Sequence, residues 1–101
     1  MTDVSLLLVG SLVSMLGIVN IKGNISTIHS YNRRKVKEED VPKYGRIVGI
    51  GTLIIGISLM IGSILPLLNI NTPLEYVIVP MGAIGISLIL YGQFKYNKGI
   101  F

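Results

Sequence analysis

The sequence contains no cysteine, no tryptophan, one histidine and few charged residues, which make up 14% of the chain. Without cysteine there is no disulfide, no thiolate metal site and no cysteine nucleophile. His29 has no carboxylate close to it in sequence, and the consecutive Glu38, Glu39 and Asp40 point in different directions around a helix start. We therefore expect no enzyme, and no catalytic, cofactor-binding or metal-binding residue.

Ionisable residues are also missing from the three most apolar stretches of the chain. Transporters that couple movement to protons or ions usually keep such a residue inside a membrane span, so a pump or coupled antiporter is disfavoured. A pore formed by several copies stays open as an alternative, because hydroxyl groups could line a water-filled path. The hydroxyls concerned are those of Ser11, Ser14, Thr52, Ser58, Ser63 and Ser87. The competing interpretation is that each hydroxyl bonds back to a carbonyl of its own helix.

Apolar residues are the most abundant class in the chain. They make up 50% of the 101 residues, and the mean hydropathy is +0.69. A soluble domain of this size has too small a core to bury so many apolar side chains. The central uncharged stretch, Ile47–Leu65, would span about 28 Å as a helix, close to the hydrocarbon thickness of a bilayer.

We therefore predict an all-α fold, an integral membrane three-transmembrane-helix bundle, in a multi-pass protein of the cell membrane. Residues 1–101 are expected to form a single membrane domain. Its spans lie at about 4–21, 44–65 and 74–94, and a cytoplasmic connection covers 22–43.

The first apolar run, Val4–Ile21, has two interpretations. A signal peptide would begin with basic residues and end in a small-residue cleavage site. Here Asp3 precedes the run and Lys22 follows it, without an Ala-x-Ala pattern. We predict a retained transmembrane helix.

The positions of the basic residues predict the orientation of the chain across the membrane. All nine lie between Lys22 and Arg46 or in the C-terminal tail, at Lys95 and Lys98. Cytoplasmic segments of membrane proteins collect lysine and arginine, so we predict the N-terminus outside and the C-terminus inside. The same rule accounts for the pI of about 9.6, and we expect no nucleic acid partner.

Part of the basic connection is a candidate for holding anionic lipid headgroups. The residues are Arg33, Arg34, Lys35 and Lys37. The alternative is that they only set the topology.

Acidic residues and prolines predict the bounds of the second helix. Carboxylates at residues 38–40 and a proline at Pro42 favour a helix start near Glu39. Pro66 is expected to end or kink the helix, because proline has no N–H to donate to the carbonyl of Gly62.

The third helix is predicted to run from Pro73 to about Phe94. Thr72 and Glu75 match a capping box with proline between them at the first helical position. Pro80 lies inside the helix and should bend it. Aromatic residues near the span ends are expected to form interfacial belts, at Tyr44, Tyr76, Tyr91, Phe94 and Tyr96.

Small residues predict where the helices pack, because helices in lipid associate through close backbone approach. One face of the second helix carries Gly45, Gly49, Thr52, Gly56 and Ser63, and the opposite face carries Gly51, Ser58 and Gly62. Further small residues are Gly10, Ser14 and Gly17 in the first helix and Gly82, Gly85 and Gly92 in the third. We expect the first face to pack within the subunit and the second to meet another copy or a partner protein. The alternative is that these residues reflect only the frequency of glycine and serine in membrane helices.

Three stretches resemble a known family: Ser30-Tyr31-Asn32, the segment from Lys35 to Lys43, and the glycine-rich Gly45–Gly56. They look like a family of small uncharacterised bacterial and archaeal membrane proteins, which has glycine where this chain has Ser30. That family is similar to part of the SdpI-like proteins, some of which protect cells against their own membrane-active toxins. The resemblance covers roughly the first two-thirds of the chain. It implies three helices, a cytoplasmic connection with a structural turn at Tyr31 and Asn32, and an immunity role.

Two functions follow as hypotheses. The first is a small non-enzymatic membrane protein that acts through helix–helix contacts, either as an accessory subunit or as an immunity-type protein. The second is a homo-oligomeric channel or pore for ions or small solutes. The expected partners are the lipid bilayer and either further copies of the chain or another membrane protein.

Overall fold

The computed structural model describes residues 3–23, 36–73 and 75–98, and these fold into three α-helices. Helix α1 is Asp3–Ile21, α2 is Val41–Leu67 and α3 is Glu75–Tyr96. Within the described residues the fold is all-α, as predicted. Each of the three helices is long and apolar enough to cross a membrane.

The end of α1 depends on a glycine. The Gly23 N–H donates to the carbonyl of Asn20 at 2.9 Å, and Gly23 has a φ of +98°. Glycine takes up this left-handed conformation without steric cost, which makes it the usual residue just past a helix end.

A short 3-10 turn, Glu38–Asp40, leads directly into α2, and Pro42 lies in the first turn of that helix. The carboxylates precede the positive end of the helix dipole, where they are favourable. The α-helix itself begins at Val41, two residues after the predicted start at Glu39.

The end of α2 is one residue beyond Pro66, which lies inside the last turn. The Ile70 N–H donates to the carbonyl of Leu65 at 3.0 Å, and the Asn69 N–H donates to that of Pro66 at 3.1 Å. Asn69 has a φ of +59°. These two bonds around a left-handed residue form a Schellman motif. Pro66 thus predicted where α2 ends, and the left-handed conformation of Asn69 allows the two hydrogen bonds that end the helix.

Helix α3 begins at Glu75, two residues after the predicted start at Pro73, and the Tyr76 N–H donates to the carbonyl of Pro73 at 3.0 Å. Pro80 is inside the helix, as predicted. The helix ends at Tyr96, two residues past the predicted end.

The three helices form a row with α2 in the middle. Helices α1 and α3 pack against opposite sides of α2, and within the described part of the chain they hardly touch each other. The buried hydrophobic side chains of the described residues are those of Tyr44 and Val48. The contacts between the helices are therefore made largely by backbone and small residues, and about half of the large apolar side chains in the described residues are exposed.

Candidate functional site

The contact between α1 and α2 is made by two glycines. A Cβ atom at Gly17 would lie 2.7 Å from the carbonyl oxygen of Gly49, and one at Gly49 would lie 2.6 Å from that of Gly17. Carbon and oxygen atoms cannot approach this closely, so any larger residue would force the helices apart. The backbones of α1 and α2 therefore touch directly at this level, as in glycine-mediated packing of membrane helices.

The same contact continues further along both helices, at Gly10, Ser14 and Gly56. A Cβ at Gly10 would lie 2.9 Å from the carbonyl oxygen of Gly56, and one at Gly56 would collide with Ser14. The Ser14 hydroxyl donates to the sulfur of Met60 at 3.6 Å. Because Gly10 meets Gly56 and Gly17 meets Gly49, α1 and α2 run antiparallel.

The contact between α2 and α3 is built in the same way. A Cβ at Gly51 would lie 2.5 Å from the carbonyl oxygen of Gly85, and one at Gly85 would lie 2.6 Å from that of Gly51. Nearer the C-terminus of α3, a Cβ at Gly92 would lie 3.0 Å from the side chain of Val48. Gly51 meets Gly85 and Val48 meets Gly92, so these two helices are also antiparallel.

The face of α2 that carries Gly51, Ser58 and Gly62 was expected to meet another copy or a partner protein. Instead, Gly51 packs against α3 of the same chain, and Ser58 and Gly62 are buried. This expectation is corrected because the chain itself supplies a partner for each side of α2. Periodicity locates a packing face, but it does not distinguish a helix of the same chain from one of another chain.

The remaining small residues differ in their placement. Gly45 and Ser63 are buried within the chain. Gly82 has no atom within 4 Å of the position that a Cβ would take. It therefore lies outside the α2–α3 contact, although it is only three residues from Gly85.

Most of the hydroxyl groups considered for a pore bond to their own helices, Ser14 being the exception. Each of five donates to a carbonyl three or four residues earlier, at 2.6 to 2.8 Å: Ser11 to Leu7, Thr52 to Val48, Ser58 to Ile55, Ser63 to Met60 and Ser87 to Ala83. Hydroxyls commonly satisfy themselves in this way in membrane helices. Their hydrogens are thus used internally and are not directed at a water-filled path.

A buried polar cluster lies at the end of the molecule where α1 ends, α2 begins and α3 ends. It contains Tyr44, fully buried, and Gln93, which is 6% exposed. The Tyr44 hydroxyl donates to the side-chain carbonyl oxygen of Gln93. Asn20, near the end of α1, and Asn97, just past the end of α3, are also buried. Each of these side chains has an interaction partner.

This cluster was missed by the sequence analysis, which placed Tyr44 in an interfacial aromatic belt. Tyr44 is covered by protein, so its belt assignment is wrong. Tyr76, Tyr91 and Phe94 are more than half exposed, which is the geometry a belt requires. The amide side chains of Gln93 and Asn97 follow the apolar stretch of α3, and a buried tyrosine hydroxyl needs a partner of that type. That pattern could have indicated the cluster.

Several residues singled out in the sequence lie outside the described part of the chain. They are His29, Ser30, Tyr31, Asn32, Arg33, Arg34 and Lys35. Lys37 is described and exposed, in the segment just before the 3-10 turn. Among the described residues no group of three or more His, Asp or Glu is placed to hold a metal ion.

No family model, curated protein or solved structure matches this chain.

Proposed function

We propose that the chain is an integral membrane protein with three spans, its N-terminus outside and its C-terminus in the cytoplasm. The antiparallel packing supports this orientation, because it brings Lys22, Lys43 and Lys95 to one end of the molecule. The sequence has no basic residue before Lys22 or between Arg46 and Lys95. The basic residues that the structure describes therefore belong to one end, as the positive-inside rule requires for a cytoplasmic side.

Within that membrane setting, we infer that the protein acts through contacts of its helices and not through catalysis or conduction. One observation carries this inference. The small-residue faces and most of the hydroxyls are used inside the chain, whereas the outward faces of α1 and α3 are mainly apolar between the helix ends. Exposed large side chains include Leu8, Leu12 and Met15 on α1 and Val79, Ile84 and Ile86 on α3.

Such a surface can meet only lipid or the apolar face of another membrane protein. Two roles share this mode of action: an accessory subunit of a larger membrane protein, and an immunity-type protein that meets a membrane-active toxin. The resemblance to SdpI-like proteins is the reason for including the second role.

A homo-oligomeric pore is less well supported. A pore of three-helix units would need hydroxyls free to face water, and five of those considered for this purpose donate to carbonyls of their own helices. We expect no ion flux above that of empty vesicles when the purified protein is reconstituted into liposomes. Sustained flux would overturn the inference and favour the pore.

Site-specific photocrosslinking in cells tests the contact function. A photoreactive amino acid is introduced at Leu12 of α1 or Ile86 of α3, and at Ser58 as a buried control position. We expect at least one exposed position to give a discrete protein adduct, either with a second copy or with another membrane protein. If both give lipid adducts only, the inference fails, because no helix face then meets a protein.

The orientation is tested separately. Single cysteines at Lys37 and Asn69 are probed with a membrane-impermeant maleimide before and after permeabilisation. We expect Asn69→Cys to react from outside and Lys37→Cys to react only after permeabilisation. The reverse pattern would overturn the proposed topology.

A further inference from the structure

The C-terminal end of α3 carries a tyrosine and two lysines. Tyr91 and Lys95 are four residues apart and therefore lie on the same side of the helix. Lys98 follows the helix end at Tyr96 and has a φ of +61°. All three side chains are exposed. We call these residues the α3 cation site.

The ammonium group of Lys95 is held in place by aromatic neighbours. Its Nζ donates to the Tyr91 hydroxyl oxygen at 3.0 Å. The same nitrogen lies 5.3 Å from the centroid of the Tyr91 ring and 5.4 Å from that of Tyr96. A cation at such distances is attracted to the ring faces, so the side chain of Lys95 is partly ordered before any ligand arrives.

The site keeps hydrogen-bonding capacity directed at solvent. An ammonium group has three donors, and the bond to Tyr91 uses one of those on Lys95. The Tyr91 hydroxyl accepts that bond, which leaves its own hydrogen available for an external acceptor. Lys98 adds a second ammonium group, whose Nζ lies 3.5 Å from the carbonyl oxygen of Lys95. Two ammonium groups and a hydroxyl donor therefore lie at the C-terminal end of α3 and just beyond it.

An apolar surface adjoins these cations on the side of the membrane. Ile84 and Phe94 are both more than half exposed. At 100° per residue they lie within about 60° of Tyr91 around the helix. Toward its C-terminus this side of α3 passes from Ile84 and Ser87, whose hydroxyl bonds to its own helix, to the rings of Tyr91 and Phe94. The two lysines follow, so the surface changes from apolar to cationic in the direction in which a phospholipid passes from acyl chain to headgroup.

We propose that the α3 cation site binds the headgroup of an anionic phospholipid, with the phosphate against Lys95, Lys98 and the Tyr91 hydroxyl and an acyl chain along Ile84 and Phe94. Charge complementarity and the apolar and aromatic side chains beside the cations select this occupant. A soluble anion would use the charges but gain nothing from those side chains. The site differs from the headgroup candidates in the connection, Arg33, Arg34, Lys35 and Lys37. It rests on the membrane insertion proposed above.

The experiment measures which lipids stay with the purified protein. The full chain is reconstituted in phosphatidylcholine with a minor fraction of phosphatidylglycerol, extracted in mild detergent and analysed by native mass spectrometry. The variant Lys95→Gln/Lys98→Gln is compared with Lys22→Gln/Lys43→Gln, which removes two charges from the same end of the molecule. The variant Lys95→Arg/Lys98→Arg keeps the charges.

We expect the wild-type protein to retain phosphatidylglycerol in preference to phosphatidylcholine. The preference should fall by about fivefold for each lysine removed from the site. It should change little in the Lys22/Lys43 variant and persist in the arginine variant. Loss of equal size in the Lys22/Lys43 variant would overturn the proposal, because the preference would then reflect the total charge of that end. Absence of any preference in the wild-type protein would also overturn it.

Competition with inorganic phosphate distinguishes a lipid site from a site for free anions. If inorganic phosphate displaces phosphatidylglycerol at matched concentration, the site recognises phosphate alone and the lipid assignment fails. Co-flotation of every variant with phosphatidylcholine vesicles reports membrane insertion independently. A protein that does not float refutes the proposed membrane location, whereas one that floats without lipid preference refutes only the α3 cation site.

Discussion

The Tyr44 hydroxyl donates a hydrogen bond to the side chain of Gln93 and thereby joins the first turn of α2 to the last turn of α3. Both side chains are buried. Elsewhere the two helices meet mainly through glycine and apolar side chains, so this bond adds a directional, polar contact at the end that we assign to the cytoplasm. A hydrogen bond of this kind fixes the register between helices more strictly than dispersion contacts do.

Substitution of Tyr44 by phenylalanine should lower the free energy of unfolding by about 1–3 kcal/mol, because a buried acceptor on Gln93 loses this donor. The measurement is unfolding of the purified protein by titration with SDS, followed by circular dichroism. Tyr76→Phe is the matched control, since Tyr76 is 70% exposed. Equal effects of the two substitutions would show that the Tyr44 hydroxyl contributes nothing specific.

Gly85→Ala and Gly82→Ala form a second matched pair within α3. The added methyl group at position 85 would lie 2.6 Å from the carbonyl oxygen of Gly51, whereas at position 82 it meets no atom within 4 Å. We expect Gly85→Ala to destabilise the protein by about 1–3 kcal/mol through forced separation of the helices. Gly82→Ala should be neutral or slightly stabilising, because alanine favours the helix. The same SDS titration measures both, and similar losses at the two positions would contradict the packing described.

Cysteine crosslinking distinguishes contacts within the chain from contacts between copies. The natural sequence has no cysteine, so single substitutions give no background. Ser58→Cys should form no disulfide-linked dimer when membranes are oxidised, because Ser58 is 1% exposed. Ile86→Cys, on the outer face of α3, serves as the accessible comparison. Alkylation of this cysteine after solubilisation shows that its thiol is reactive. A strong dimer at position 58 would restore the expectation that this face of α2 meets another copy.

The end of α2 gives a prediction about backbone conformation. Asn69 has a φ of +59°, which costs most L-residues about 1–2 kcal/mol and glycine almost nothing. We expect Asn69→Val to lower the stability by about that amount and Asn69→Gly to preserve or raise it. Thermal unfolding in detergent, followed by circular dichroism, measures both variants. A valine variant as stable as the glycine variant would show that the left-handed turn is not required.

Much of the fold could be predicted from the sequence because helices that are able to cross a membrane have strong sequence constraints. A membrane helix must be long, apolar and free of charge, and those properties are visible in Ile47–Leu65 without any alignment. Pro66 and the Thr72–Glu75 segment located helix ends to within two residues. Gly17, Gly49 and Gly56 could be identified as packing residues because the spacing of small residues is itself the packing pattern.

The parts that could not be predicted depend on which helix lies beside which. Gly51 belongs to a small-residue face, but only the position of α3 shows that this face is filled by Gly85. Gly82 and Gly85 look alike in sequence, and the rotation of α3 decides that one is in the contact and the other is open. Tyr44 has the composition and position of an interfacial aromatic, and its burial follows from the placement of Gln93 49 residues away.

The row arrangement has a consequence for biogenesis. Each major interface joins helices that are consecutive in the chain, so no contact has to wait for a segment that is synthesised much later. In the proposed membrane setting, the hairpin of α1 and α2 can close while the ribosome is still making α3, and the surface around Gly51 is then already formed when the last helix arrives. Pairwise docking in this order gives Gln93 its partner, Tyr44, as soon as α3 is made.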